Sequence, residues 1–215
     1  MTRLIGCDFS SSPTSRKPIV LAWGHLRGAV VVLDRLEYLN SLESFAEWLS
    51  QNGAWTCGFD MPFGLPRELV SAMGWPLSWE ACIRHYAALS RPEIRTAFAS
   101  FCNARPVGGK FAHRATDRLA GSSPSMKWVN PPVAYMLHAG VPRLLDAAIN
   151  LPGIYLPGRP ADPIAEAESR VALEAYPGLL ARELLGRRSY KSDDRARQTP
   201  ERLIARKDLI TGLEA

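Results

Sequence analysis

The chain is poor in the residues that build redox and zinc sites. It has 4 cysteines and 4 histidines in 215 residues. Cys7, Cys57, Cys82 and Cys102 show no C-x-x-C spacing, so neither a zinc knuckle nor a dithiol site is expected, and they read as small buried hydrophobes. No run of about 18 apolar residues occurs, so no membrane-crossing helix is expected. The first residues, Met1 to Ile5, lack the apolar core and small-residue cleavage site of a secretory signal and pass directly into a strand pattern, from which a cytoplasmic location is expected. No internal repeat or low-complexity tract is present. With 47% hydrophobic residues, the chain can bury a substantial core.

The charge is equally uneven. The formal net charge is +5, and the segment from Arg182 to Asp208, with nine basic and five acidic residues, supplies +4 of it. A concentrated basic region suits a polyanionic partner, nucleic acid or another phosphate ester, although a solvated and salt-bridged helix face has the same composition.

Two apolar runs end on an aspartate: Leu4-Ile5-Gly6-Cys7-Asp8 and Trp55-Thr56-Cys57-Gly58-Phe59-Asp60. A carboxylate closing a strand that otherwise reads as buried must be solvated, hydrogen-bonded or bound to a cation. The first run belongs to a set of three β-rich segments, 4–9, 18–23 and 29–36, whose short connections make an antiparallel meander. A helix capped by Asn40 or Ser41 follows, with Leu42, Phe45, Ala46 and Leu49 as its apolar face and Glu43 and Glu47 turned to solvent. This helical crossover puts the strand ending at Asp60 parallel to one of the meander strands. Three meandering strands, a crossover helix and a fourth strand open a ribonuclease H-like α/β fold.

Residues 65–152 break the rhythm and read as a mostly helical insertion. Helices are expected at 78–88 and 93–102, and another begins near Pro131 and Pro132. Between them runs a basic loop with two glycines, 105–114, containing Lys110, His113 and Arg114. A further strand, 170–176, carries Glu174 and leads into a helix from Pro177 to Leu185. A last helix, with Thr199 as cap and Pro200 at its first position, is expected to reach about Ile210.

Asp8, Asp60 and Glu174 are therefore expected to converge at one end of the sheet. Three carboxylates in one place repel each other unless a cation offsets the repulsion, and oxygen-only ligands suit Mg²⁺ or Mn²⁺. Such a cluster activates water and stabilises the leaving oxygen of a phosphodiester. Each acid also has a plainer role: Asp8 and Asp60 as turn formers, Glu174 as partner of a nearby arginine.

The elements Gly6-Cys7-Asp8-Phe9-Ser10-Ser11, Asp60-Met61-Pro62-Phe63-Gly64 and Glu174-Ala175-Tyr176-Pro177, followed by Lys191 and Arg202, resemble the domain-of-unknown-function family 429 along almost the whole chain. The resemblance implies a ribonuclease H-like fold, a predicted nuclease activity and an acidic site at Asp8, Asp60 and Glu174. Lys110, His113, Arg114, Lys191 and Arg202 are then the candidates for phosphate contact, with His113 more readily a surface residue, because only geometry makes a histidine catalytic. Such nucleases place another acid on a helix after the last core strand. Here Asp193, Asp194 or Asp208 would have to serve, or the site is impaired or the chain truncated.

Two other functions fit the same elements. An actin-like phosphotransferase or ATPase would use Ser10, Ser11 and Ser12 as a phosphate hairpin, but no second Asp-Gly phosphate loop or adenosine motif is present. A non-catalytic nucleic-acid or protein binding module would keep the fold and the basic region without the chemistry.

Overall fold

A computed structural model describes residues 3–157, 169–192 and 194–214. Five strands, β1 (Arg3–Asp8), β2 (Ile19–Arg27), β3 (Val30–Leu39), β4 (Trp55–Phe59) and β5 (Arg170–Glu174), form one open mixed sheet in the order β3-β2-β1-β4-β5. β1, β2 and β3 are antiparallel neighbours, as the meander predicted. The crossover helix α1 (Leu42–Ser50) returns the chain so that β4 lies parallel to β1, and β5 lies parallel to β4. The protein is thus α/β, with a five-stranded mixed sheet flanked by helices.

The alternation along the strands decides which face carries the core. Ile5 and Cys7 of β1, Ile19, Leu21 and Trp23 of β2, Trp55, Cys57 and Phe59 of β4 and Ala172 of β5 are all buried, and each strand's set repeats every second residue. α1 lies on this face through Phe45, Trp48 and Leu49. Phe9 meets Phe45 edge-on with ring centroids 5.2 Å apart, and Trp48 stacks on Trp55 at the same separation. Ala46, expected on the apolar face, is exposed, and Trp48 takes its place. Ser41 is the cap, paired reciprocally with Ser44. On the opposite face lie Gly6, Ala22 and Gly58, aligned across β1, β2 and β4, with Leu173 of β5 and Leu36 of β3 exposed beside them.

The insertion is helical, as expected, but more finely divided. It contains α2 (Arg67–Ala72), α3 (Trp79–Ala88), α4 (Arg91–Asn103), α5 (Ala115–Ala120) and α6 (Val133–Asp146). α4 starts two residues earlier than its apolar pattern suggested, because Ser90 and Glu93 form a capping box. α6 crosses the end of β4 closely: a Cβ on Gly140 would stand 2.2 Å from Met61 Sδ and 3.1 Å from Phe9 Cζ. Met61 directly follows Asp60, so this contact braces the turn at the strand end. Gly140→Ala is expected to cost about 1–3 kcal/mol through overpacking, read as a lowered urea midpoint with unchanged slope.

After β5 come α7 (Pro177–Leu185) and α8 (Pro200–Glu214), joined through a short 3₁₀ turn at Arg195–Arg197. β5 stops at Glu174, with Tyr176 capping α7, and α8 runs four residues beyond its expected end. No helix among the described residues is long and apolar enough to cross a membrane.

Candidate acidic site at the strand ends

β1 and β4 pair in parallel with Cys7 opposite Phe59. The ladder continues one step further, since the Asp60 N–H donates to the Cys7 carbonyl at 2.9 Å. That step brings Asp60 beside Asp8 at the carboxyl end of the sheet, as expected for adjacent parallel strands. Strand alternation puts both on the Gly6 and Gly58 side, opposite the aromatic core.

The electrostatics agree with that placement. Burial raises the Asp60 carboxyl above the usual carboxylate range, and the Asp8 charge raises it further, while Lys191 acts in the opposite direction. Burial also pushes the Cys7 thiol up, with Asp8 and then Asp60 adding to it. Neither the Asp8 nor the Asp60 side chain has a hydrogen-bond or ion-pair partner among the described residues, so their lone pairs face solvent or a ligand.

Glu174 does not join them. In the β4–β5 ladder it stands opposite Phe59, and residues paired across parallel strands point to the same face. Its carboxylate therefore turns towards the insertion, where both oxygens are taken. Oε1 accepts from Arg114 Nη2 at 2.5 Å, and Oε2 accepts from Arg114 Nη1 at 2.8 Å and from the Phe63 N–H at 2.9 Å. Among the described residues no group of three or more His, Cys, Asp or Glu side chains is placed to hold a metal ion. The expected three-acid convergence is replaced by a two-acid pair on one face and an ion pair on the other.

Arg114 is correspondingly not a free phosphate contact. Its guanidinium also bonds Asp117, Nε to Oδ1 at 3.0 Å and Nη2 to Oδ1 at 2.7 Å. Asp117 is fully buried and accepts in addition from the backbone N–H of Arg114 and of Ser125. Burial pulls the Arg114 pKa down, but the bonds to Glu174 and Asp117 outweigh it, and the guanidinium is held more firmly protonated than usual. Asp117 escaped the sequence reading. Its signal was the Arg114-x-x-Asp117 spacing, which lets an acid at the third helical position reach back to the cap residue.

The other predicted contacts are dispersed. Lys110 and His113 are exposed on the loop between α4 and α5. Lys191 is exposed, with Nζ 5.7 Å from the centre of the Tyr190 ring. Arg202 lies at the start of α8, its Nε donating to Ser189 Oγ at 3.1 Å. Of the three acids considered as a fourth ligand, Asp194 pairs with Arg197 and Asp208 with Arg188, and Asp193 lies outside the described residues. In the serine hairpin, Arg91 Nη2 donates to the Ser11 carbonyl at 2.7 Å and to Ser12 Oγ at 3.0 Å. All four cysteines are free and buried, as expected.

No family model, curated protein or solved structure matches this chain.

Proposed function

We propose that this protein is a divalent-cation-dependent phosphodiester hydrolase of ribonuclease H-like architecture, acting on nucleic acid or a related phosphate ester. The observation that carries the reading is the pairing of Asp8 with Asp60 at the carboxyl ends of two adjacent parallel strands, with Asp60 raised by burial and by its neighbour. Two neighbouring carboxylates with no partner among the described residues are a site whose repulsion a cation relieves, and their hard oxygens suit Mg²⁺ or Mn²⁺. Asp8 and Asp60 fit as ligands; Glu174 does not while Arg114 and the Phe63 N–H hold its oxygens. A bound cation would supply an activated water and offset charge on the leaving oxygen.

The chain's own groups have separable roles. Asp8 and Asp60 would hold the cation. Lys191, whose charge opposes the raised pKa of Asp60, would neutralise a phosphate bound beside it. Glu174 is a positioning residue: by accepting the Phe63 N–H it fixes the turn from Asp60 to Phe63, and Arg114 fixes Glu174 in turn.

The test is cleavage of a labelled oligonucleotide and of a chromogenic phosphodiester by the full chain, with Mg²⁺, with Mn²⁺ and with EDTA. Turnover with either metal and none in EDTA is expected. Equal turnover in EDTA sinks the proposal. The capture of Glu174 by Arg114 favours one alternative, a binding module of the same fold, which would bind the oligonucleotide in a salt-sensitive way and cleave it under none of these conditions.

A further inference from the structure

Beside the start of α8 lies a solvent-open cavity of about 470 Å³ whose wall includes Arg188, Arg197 and Arg202, with Ser189, Thr199 and Glu201 among them. The three arginines are anchored but not used up. Arg188 donates from Nε to the Leu185 carbonyl at 3.4 Å and from Nη1 to Asp208 at 2.6 Å. Arg202 donates from Nε to Ser189 and from Nη1 to the Arg197 carbonyl. Arg197 stands with Nε 3.5 Å from Asp194. Among the described residues this leaves Nη2 of Arg188, Nη2 of Arg202 and both Nη atoms of Arg197 without a partner. Guanidinium groups held on one edge, with donors left on the other, lose little side-chain freedom on binding and suit the planar two-point recognition of phosphate.

The lining also carries one acid. Glu201, in the first turn of α8, is held below the usual carboxylate range by the Thr199 hydroxyl and then by its own backbone N–H. An internal carboxylate thus already leans on the donors at this helix start, where unpaired N–H groups favour anions. It leaves the arginine donors unmatched: the lining has three positive groups and one negative.

Ser189, in the cavity wall, is followed in the chain by Tyr190 and Lys191, whose Nζ lies 5.7 Å from the centre of the Tyr190 ring. We propose that this cavity is a phosphate-binding site, holding a phosphate of the substrate at a position distinct from the one cleaved beside Asp8 and Asp60. This rests on the hydrolase reading for its substrate, but not for its chemistry of recognition. The phosphate is either an internal one of a nucleic-acid strand or a terminal phosphomonoester.

Binding is measured on the full chain in EDTA, so that cleavage plays no part, by anisotropy of a labelled single-stranded oligonucleotide with a 5′-phosphate or a 5′-hydroxyl. Inorganic phosphate serves as competitor. Arg197→Ala and Arg202→Ala are each expected to weaken binding about tenfold and to lower the salt slope by about one. Arg197 is mostly exposed, so its variant keeps the fold. Glu201→Gln, which removes the one negative charge of the lining, is expected to tighten binding about threefold, an effect a merely structural residue would not give. Arg27→Ala, an exposed arginine in the β2–β3 hairpin, is expected to change little. A preference for the 5′-phosphate assigns the site to a chain end, and equal affinity assigns it to an internal phosphate. Equal losses from Arg27→Ala and Arg197→Ala, or no change in Glu201→Gln, overturn the site. If binding responds as expected while no metal supports cleavage, the cavity stands and the hydrolase reading falls. Metal-dependent cleavage with binding indifferent to the arginine variants gives the reverse.

Discussion

Arg114→Ala is expected to destabilise the protein by about 3 kcal/mol, at the lower end of the range of about 3–5 kcal/mol for breaking a buried ion pair from one side. The cost comes from Asp117, whose side chain is fully buried and whose Oδ1 would lose two guanidinium bonds. The lower end applies because Asp117 keeps the backbone N–H groups of Arg114 and Ser125. Glu174, with its side chain 30% exposed, can regain water on losing the same arginine. Glu174→Ala should therefore cost less, about 1 kcal/mol or so, mostly through the Phe63 N–H left without its acceptor. Urea melts of the two variants rank the effects. The opposite ranking, or a negligible change in Arg114→Ala, would show that the guanidinium is not structural and would return it to the phosphate role that its basic loop suggested.

The same residues explain why the sheet was legible in the sequence and the site only in part. The meander and its crossover depend on local signals: alternation within each strand, short connections, and a capped helix of the right length between β3 and β4. These predict that β4 lies parallel to one of the meander strands; that the strand is β1, so that Asp8 and Asp60 meet, is seen in the structure. Glu174 depends on something the sequence does not carry locally. β5 joins β4 only after the long helical insertion, and its register is set by packing across that gap. A shift of one residue would send Glu174 to the other face, among the aspartates. In the register found, Ala172 matches Cys57 and Glu174 matches Phe59, which puts the acid on the core side and in reach of the insertion.

Arg114 went astray for a related reason. A basic, glycine-containing loop has the composition of a phosphate contact, and nothing within the loop says that an acid 60 residues later will face it. The short helices α2 and α5, each of 6 residues, are below the length at which apolar periodicity can be counted. α5 matters to the site because it carries Asp117. The α7–α8 region was recognised as the source of the excess charge, but charge count alone could not separate arginines spent on Asp194 and Asp208 from donors left open on the same groups.

The aspartate pair itself makes a prediction in which function and stability move in opposite directions. Asp60 binds its proton more tightly in the folded state than in the unfolded chain, since burial and Asp8 raise its pKa. Between the unfolded value near 3.9 and the raised folded value, the native state holds more protons, so stability falls as pH rises through that window. Above it, the ionised pair is a standing cost in the metal-free protein. Asp60→Asn removes that cost. In EDTA at neutral pH the variant should be more stable than the parent, by up to about 1 kcal/mol, and the difference should vanish at acid pH where Asp60 is protonated in both states. Adding Mg²⁺ should reverse the order, because ligand binding to the native state stabilises only the protein that retains both carboxylates. Hydrolysis by Asp60→Asn and by Asp8→Asn should fall about a thousandfold, the several kcal/mol that loss of a metal-bound nucleophile removes. Thermal melts of parent and variant, with EDTA and with Mg²⁺ across pH 4–8, read the first effect, and oligonucleotide cleavage reads the second. A variant that gains stability in EDTA yet keeps its response to Mg²⁺ would place the cation elsewhere; one that loses stability in EDTA would mean that Asp60 is a turn former bonded in the native state, with no repulsion for a cation to relieve.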